Sequence, residues 1–291
     1  MKEAAVVSIL MTAYNRENFI KEAVESVLSS TFVDYEFIIV DDCSSDNTYN
    51  IAKDYEQKDS RITVYKNEKN LGDYPNRRYA ASLARGKYIK FVDSDDVLYP
   101  HGLEVMVRGM EQFPSAGFGM IWGDTISEPS PKLYTPHEAY YSYFFNNRWM
   151  QVGPSGVIYK RECYEAVDGF DTLPYISDFD LNLKLGARWS VVRLQTDLFF
   201  YRVHQGQQLD LGQQLKGYPV LTYLIQKKHL ESPFCPLTKE EKIQALLMID
   251  KLQARRSLLH LLKSFNWREF KLLVEASGLG WVGFRKGIVQ T

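Results

Sequence analysis

Tyr88-Ile89-Lys90-Phe91-Val92-Asp93-Ser94-Asp95-Asp96 is the stretch on which the reading of this chain turns. Its first five residues are rich in β-branched and aromatic side chains and follow Gly86, the signature of a short buried strand. Side chains at i and i+2 of an extended segment point the same way, so Asp93 and Asp95 converge while Ser94 points elsewhere. Two convergent carboxylates at the carboxyl end of a strand suit a hard divalent cation that keeps several waters and takes further oxygens from a substrate phosphate. The plain alternative is an acidic turn ahead of a helix that begins at Asp96 or at Tyr99-Pro100. Alone, Asp-x-Asp is a weak motif, and its weight depends on the rest of the chain.

Upstream, two periods alternate. Ala5 to Met11 is a continuous apolar strand, and Phe19, Ile20, Ala23, Val24, Val27 and Leu28 follow at helical spacing. Phe37-Ile38-Ile39-Val40 is a second strand ending at Asp41-Asp42, and Ser44 or Ser45 is placed to cap a helix carrying Ile51, Ala52 and Tyr55. Arg61 to Tyr65 is a third strand, Tyr79, Ala80, Leu83 and Ala84 lie on the next helix, and Tyr88 to Val92 form the fourth strand. Strands apolar along their whole length, alternating with helices, predict an α/β fold with a mostly parallel sheet covered on both faces. Ligands of such sheets bind beyond the carboxyl ends of the strands, where Thr12, Asp42, Asp93 and Asp95 all fall.

Composition excludes several classes. The 291 residues suffice for one large domain with an appendage, and 45% hydrophobic content with a formal charge of -1 describes an ordinary globular protein. No basic excess points to nucleic acid. Cys43, Cys163 and Cys235 are odd in number and widely spaced, which argues against a disulfide framework or structural zinc and for a reducing compartment. No apolar run reads as a signal peptide or a membrane span, so the expected location is cytoplasmic.

Val7-Ser8-Ile9-Leu10-Met11-Thr12-Ala13-Tyr14-Asn15-Arg16, Val40 to Thr48, and Asn70-Leu71-Gly72 followed by Arg77 resemble family 2 glycosyltransferases. Ala84 to Asp96, Gly169-Phe170-Asp171 and Ser177 to Leu185 continue the resemblance, which covers about residues 5 to 205. It implies the GT-A fold and inverting transfer from a nucleotide-diphosphate sugar, with Mn2+ or Mg2+ as cofactor. Two departures are Cys43, where the family usually has glycine or asparagine, and Ser177, where it often has glutamate.

With that resemblance, roles attach to residues. Asp42 can accept the imide N–H of uracil, which favours a UDP-sugar, while its alternative role is a helix cap. Thr12 can bond the base or ribose, and Tyr14 can stack on the base. The family places a basic residue near the diphosphate at Arg77, where a guanidinium fork suits phosphate oxygens; either Arg77 or Arg78 then lies on a solvated face. By the same analogy Asp95 ligates the metal, Asp93 lies near the ribose or the metal's waters, and His204 is either near the metal or structural. Asp178, at the start of a helix marked by Leu181, Leu185 and Trp189, is the candidate base for the acceptor hydroxyl; spacing alone makes it a cap, and the family motif makes it the base. Asp180 is read as structural.

Acceptor recognition is thinly encoded. The aromatic run from Tyr134 to Trp149 either stacks on sugar or packs on the sheet, and Gly153-Pro154-Ser155-Gly156 either presents amides or merely connects. The expected division is a catalytic domain at 1–205 and a helical extension at 206–291. Thr238 and Glu241 form a capping box, a further helix runs from Phe265 to Gly278, and Trp281, Phe284, Arg285 and Lys286 mix aromatic and basic residues as a membrane-surface helix would. These helices pack on the catalytic domain, on a second subunit in a homodimer, or on a membrane face. The expected acceptor is a glycan or lipid-linked glycan in surface-polysaccharide synthesis. The rival classes are a sugar nucleotidyltransferase, disfavoured because Met11 to Asn15 holds no glycine, and a silent nucleotide-sugar-binding module, disfavoured by Asp178.

Overall fold

A computed structural model of the chain describes residues 5–122, 129–146, 149–173, 175–204 and 218–279. Two compact units emerge, Met1–Ala139 with Arg148–Val203, and Tyr140–Asn147 with His204–Thr291. The short aromatic stretch Tyr140–Asn147 thus groups with the C-terminal helices, a difference from a simple division near residue 205.

In the first unit the four apolar runs are β1 (Val7–Ala13), β2 (Tyr35–Asp41), β3 (Ile62–Lys66) and β4 (Tyr88–Phe91), joined by α1 (Ile20–Leu28), α2 (Thr48–Glu56) and α3 (Asp73–Ser82). Then come β5 (Val97–Leu98), α4 (Gly102–Gln112), β6 (Ala116–Ile121), β7 (Lys132–Tyr134), α5 (Pro136–Tyr141), β8 (Val157–Lys160), α6 (Arg161–Glu165), α7 (Ser177–Gly186), β9 (Ser190–Leu194) and β10 (Phe199–Phe200). The main sheet has the order β3-β2-β1-β4-β8-β6-β9-β7. β1 pairs in parallel with β2 (Val7 opposite Tyr35) and with β4 (Val7 opposite Tyr88), and β2 with β3. Beyond β4 the sheet is mixed, because β8 enters antiparallel between β4 and β6, while β9 runs parallel to β6 and antiparallel to β7.

The apolar strands have the cause the sequence implies. Val7, Ile9 and Met11 share one buried cluster with Ile20, Val24 and Val27 of α1 and with Phe37 and Ile39. Each such side chain contributes about 1.5–3 kcal/mol through burial. Ser8 is the fully buried polar residue on β1, and its hydroxyl accepts the amides of Arg85 and Gly86 at 3.1 and 2.8 Å. That clamp holds the turn into β4 against β1, so the carboxyl ends of β1, β2 and β4 lie on one edge.

The start of α2 differs from the expected serine cap. Asp46 Oδ1 accepts from the Thr48 amide at 3.0 Å, whereas Ser44 Oγ accepts from the Asn15 amide at 3.0 Å and ties the loop after β1 to the loop after β2. Trp189 also lies past the end of α7, since that helix stops at Gly186.

The second unit contains α8 (Tyr218–Glu231), α9 (Lys239–Ser264) and α10 (Trp267–Ala276). Thr238 and Glu241 make the capping box of α9, Asn266 caps α10, and Gly278 ends it at φ 65°. Tyr143 accepts a hydrogen bond from Gln226 at 2.9 Å, fixing part of the aromatic stretch inside this unit. Trp281, Phe284, Arg285 and Lys286 lie outside the described residues. Among the described residues no helix is long and apolar enough to cross a membrane.

Cys43 has φ 63°, the left-handed region where a Cβ is disfavoured and glycine or asparagine is at home. Cys43→Asn should therefore raise the free energy of unfolding by about 0.5–1 kcal/mol. Urea denaturation checks this, and a lower midpoint would contradict it.

Candidate functional site

The loop ends beyond β2 are organised by one carboxylate. Asp42 is buried, and it accepts from Asn67 Nδ2 at 2.7 Å, the Leu71 amide at 2.8 Å and the Gly72 amide at 2.9 Å. Gly72 has φ 88°, which lets its amide turn toward Asp42 and launches α3 at the next residue. A carboxylate offers about four lone-pair directions, so the chain's own donors use three of them at Asp42. Asp41 is fully buried and accepts the Ser44 amide at 3.0 Å. Thr12 is part-buried at the penultimate position of β1, and Tyr14 just beyond it is 46% exposed.

At the end of β4 both acids of the Asp-x-Asp pair face arginines. Arg77 Nη1 lies 2.8 Å from Asp93 Oδ1, and its Nε bonds Asp73 Oδ1 at 2.8 Å. Arg77 is buried and Arg78 is exposed, its Nη1 donating to the Phe170 carbonyl at 2.7 Å, so the inward member of the pair is Arg77. Arg16 Nε meets Asp95 Oδ2 at 3.0 Å. Sequence reading quoted Arg16 only as part of a motif, because nothing local signals a partner 79 residues away.

Below this edge lie two further charged groups that the sequence did not single out. Asp96 is buried, and burial together with neighbouring Asp93 pushes its carboxyl up to about 7. Lys90 is also buried, which lowers its ammonium to about 7, and its Nζ donates to the Ser155 carbonyl. Ser155 Oγ accepts the Asp93 amide at 3.1 Å. The Gly153-Pro154-Ser155-Gly156 turn is thus a buttress of the acidic strand end.

Asp178 opens α7 in the first turn. The residue as a whole is part-exposed, but its carboxylate is enclosed, and burial pushes it up to about 6. The Phe179 amide donates to Oδ1 at 2.7 Å, which favours the ionised form. Arg77 faces both Asp178 and Asp93, which joins this acid to the end of β4. Asp180 is fully buried and paired with Lys184 at 3.0 Å, a structural ion pair.

Other expected participants fall elsewhere. Trp149 stacks on Trp122 at 3.8 Å and 11°, with Tyr134 tilted against Trp122 at 4.8 Å, so these rings cover one another. His204 falls in the second unit. Among the described residues no group of three or more His, Cys, Asp or Glu is arranged to hold a metal ion.

A family model described as glycosyl transferase family 2 matches residues 8–163. An uncharacterized glycosyltransferase of Methanocaldococcus jannaschii is 36% identical over 162 residues, 53% of this chain and 55% of that protein. The UDP-Glc:alpha-D-GlcNAc-diphosphoundecaprenol beta-1,3-glucosyltransferase WfaP of Escherichia coli is 32% identical over 207 residues, 69% of this chain and 78% of that protein. The crystal structure of S. aureus TarS 1-349 in complex with UDP-GlcNAc superposes with a TM-score of 0.71 at 20% identity, covering 93% of this chain and 79% of that one. Several curated relatives are matched over about half their length or less.

The raised carboxyl of Asp178 has a consequence for stability. Its folded value, about 6, lies above the ordinary 3.8, so ionisation disfavours the folded state and that penalty is complete only above pH 6. Asp178→Asn should be more stable than the wild type at pH 8, by on the order of 1–2 kcal/mol, with the gap shrinking toward pH 4. Urea denaturation at both pH values reads this directly.

Proposed function

The chain belongs to glycosyl transferase family 2, and from that premise we propose that it moves a sugar, with inversion, from a UDP-sugar to a hydroxyl of a glycan or lipid-linked glycan. The observation that carries the reading is a single sheet edge that combines acid–arginine couples with an enclosed carboxylate raised to about 6. The acceptor class is supported by the Escherichia coli relative, whose name gives a UDP-Glc donor and a diphosphoundecaprenol-linked acceptor.

Donor binding falls to the loops after β1, β2 and β4. Tyr14 is exposed enough to stack on a base, and Thr12 lies beside it at the strand end. Asp42 keeps one acceptor direction for an imide N–H, and its other three bonds hold Asn67 and the Leu71-Gly72 amides as a wall of the nucleotide site. Arg77 lies at the acidic strand end with its Nε and Nη1 turned to Asp73 and Asp93, and what remains of its guanidinium is the part that could meet a diphosphate oxygen.

Charge balance tests whether Mn2+ or Mg2+ fits. Arg77 is shared by Asp73 and Asp93 while Arg16 faces Asp95, so two arginines meet three acids at the strand end. An arriving diphosphate adds negative charge that this cluster does not neutralise. A hard divalent ion would be held by Asp95, with Asp93 beside it, and would supply the missing positive charge. Such an ion, when bound, stabilises the charge that grows on the leaving diphosphate.

Asp178 takes the proton. As the acceptor oxygen bonds the anomeric carbon, its O–H bond breaks toward the Asp178 carboxylate, and the bond from the anomeric carbon to the diphosphate oxygen breaks on the opposite side. A carboxylate raised to about 6 is mostly ionised at neutral pH yet more basic than an ordinary aspartate, which suits a general base.

Three outcomes test this reading. Asp95→Ala should weaken UDP binding in the presence of Mn2+ while leaving uridine binding nearly unchanged, as titration calorimetry reads. UDP should bind more tightly than ADP, since adenine offers no ring N–H to Asp42, and the reverse order would remove Asp42 from the base site. Asp178→Asn should keep UDP affinity and lose about a hundredfold to ten-thousandfold in transfer rate. Near-normal turnover by that variant would sink the assignment of the base.

A further inference from the structure

Gly153 is a glycine that neither its backbone nor its packing explains. It lies at φ -67° and ψ 166°, extended geometry that any residue adopts and that suits the position before Pro154. It is exposed. Among the described residues, its chain neighbours aside, a Cβ added there would meet one atom within 4 Å, Asp178 Oδ2 at 3.9 Å. Gly156 in the same turn is different, because a Cβ there would lie 2.4 Å from Val152 Cγ1. Packing requires the second glycine and not the first.

The place of Gly153 is fixed from both sides. Asn182 stands one turn after Asp178 on the same face of α7, and its Nδ2 donates to the carbonyls of Met150 and Val152 at 3.0 Å each. On the other side the Gly153 carbonyl accepts the Gly156 amide at 2.9 Å. The buried Lys90 holds the Ser155 carbonyl, and Ser155 Oγ holds the Asp93 amide at 3.1 Å. The direction in which a side chain at 153 would stand is therefore held toward Asp178 Oδ2, while Oδ1 takes the Phe179 amide.

We propose that Gly153 is a specificity-determining residue, its missing side chain leaving beside Asp178 Oδ2 the space that a ring carbon of the acceptor sugar occupies when its hydroxyl reaches the base. This rests on the reading of Asp178 as the base. A hydroxyl within about 2.6–3.2 Å of a carboxylate oxygen has its own carbon about 3.5–4 Å from that oxygen, the shell in which the Cβ would lie. A side chain at 153 and the acceptor thus compete for one volume, and the donor site is not part of that contest.

Gly153→Ala, Gly153→Val and Gly153→Leu fill the space in steps. Alanine at a compatible φ and ψ should leave the melting temperature unchanged or slightly higher, so a loss of turnover there is not a loss of fold. Carbon-13 NMR of aspartate-labelled protein, with Asp178→Asn identifying the resonance, reads the placement without any substrate. An apolar group set against Oδ2 keeps water from the carboxylate, so in Gly153→Leu the Asp178 midpoint should rise by about one unit. With UDP-glucose and a GlcNAc-diphospholipid as substrates, the acceptor KM should rise about tenfold in Gly153→Ala and about a hundredfold in Gly153→Val, while UDP affinity by calorimetry stays within about twofold. Should Gly153→Leu not fold, Gly153→Ala carries both measurements. An unmoved midpoint overturns the placement of position 153 against the base. An acceptor KM equal to that of the wild type, or a UDP affinity that falls in step with turnover, overturns the acceptor role. Normal turnover by Asp178→Asn removes the base assignment instead, and the failures are told apart.

Discussion

The site depends on a buried guanidinium. Arg77 lies among Asp73, Asp93 and the ring of Phe91, whose centroid is 5.8 Å from its central carbon. A guanidinium does not shed its proton, so once buried it must keep acidic partners. Leaving such a charge unpaired typically costs on the order of 3–5 kcal/mol. That demand ties the start of α3 to the end of β4 and sets the orientation of Asp93. Asp178 lies in the same field, so the position of the candidate base follows from the same ion pair.

The rest of the edge is arranged so that each polar group stabilises a loop. Ser8 clamps the Arg85–Gly86 turn to β1, Asp42 gathers the amides of Leu71 and Gly72, and Ser44 bridges to Asn15. Buried hydrogen bonds of this kind add about 1 kcal/mol each, but leaving one unmade costs more. The consequence is rigidity: the loops after β1, β2 and β4 are held in mutual register by side chains rather than by their own turn propensities. A site for a charged, multi-part ligand gains from such preorganisation because less order has to be imposed on binding.

The first four strands with the helices between them, the acidic strand end and the helical C-terminal segment are legible in the sequence because each leaves a periodic or capped local signature. The run from Tyr88 to Phe91 with Asp93 and Asp95 after it, and Thr238 with Glu241, are such cases. Cys43 was noticed only as a departure from a pattern, and its left-handed backbone shows why glycine or asparagine suits that place. What stayed hidden is long-range. The partnership of Arg16 with Asp95 and the antiparallel entry of β8 beside β4 join residues far apart in the chain. No local pattern encodes them. The position of Asp42 just past β2 is legible, but the three donors that its carboxylate gathers are not encoded in spacing.

Two acid–arginine pairs at one strand end would be redundant if they behaved alike, and they do not. Arg77 and Asp93 have side chains 10% and 23% exposed, and Arg77 holds Asp73 as well. Arg16 meets Asp95 through a single Nε contact, and its Nη1 rests on the carbonyls of Tyr14 and Asn15 at 3.2 Å. Arg16 and Asp95 have side chains 22% and 14% exposed, so the two couples are similarly buried and differ in what else each arginine holds. Arg77 fastens the start of α3 to the end of β4 through Asp73, and Arg16 fastens the loop that carries Tyr14 to the same strand end.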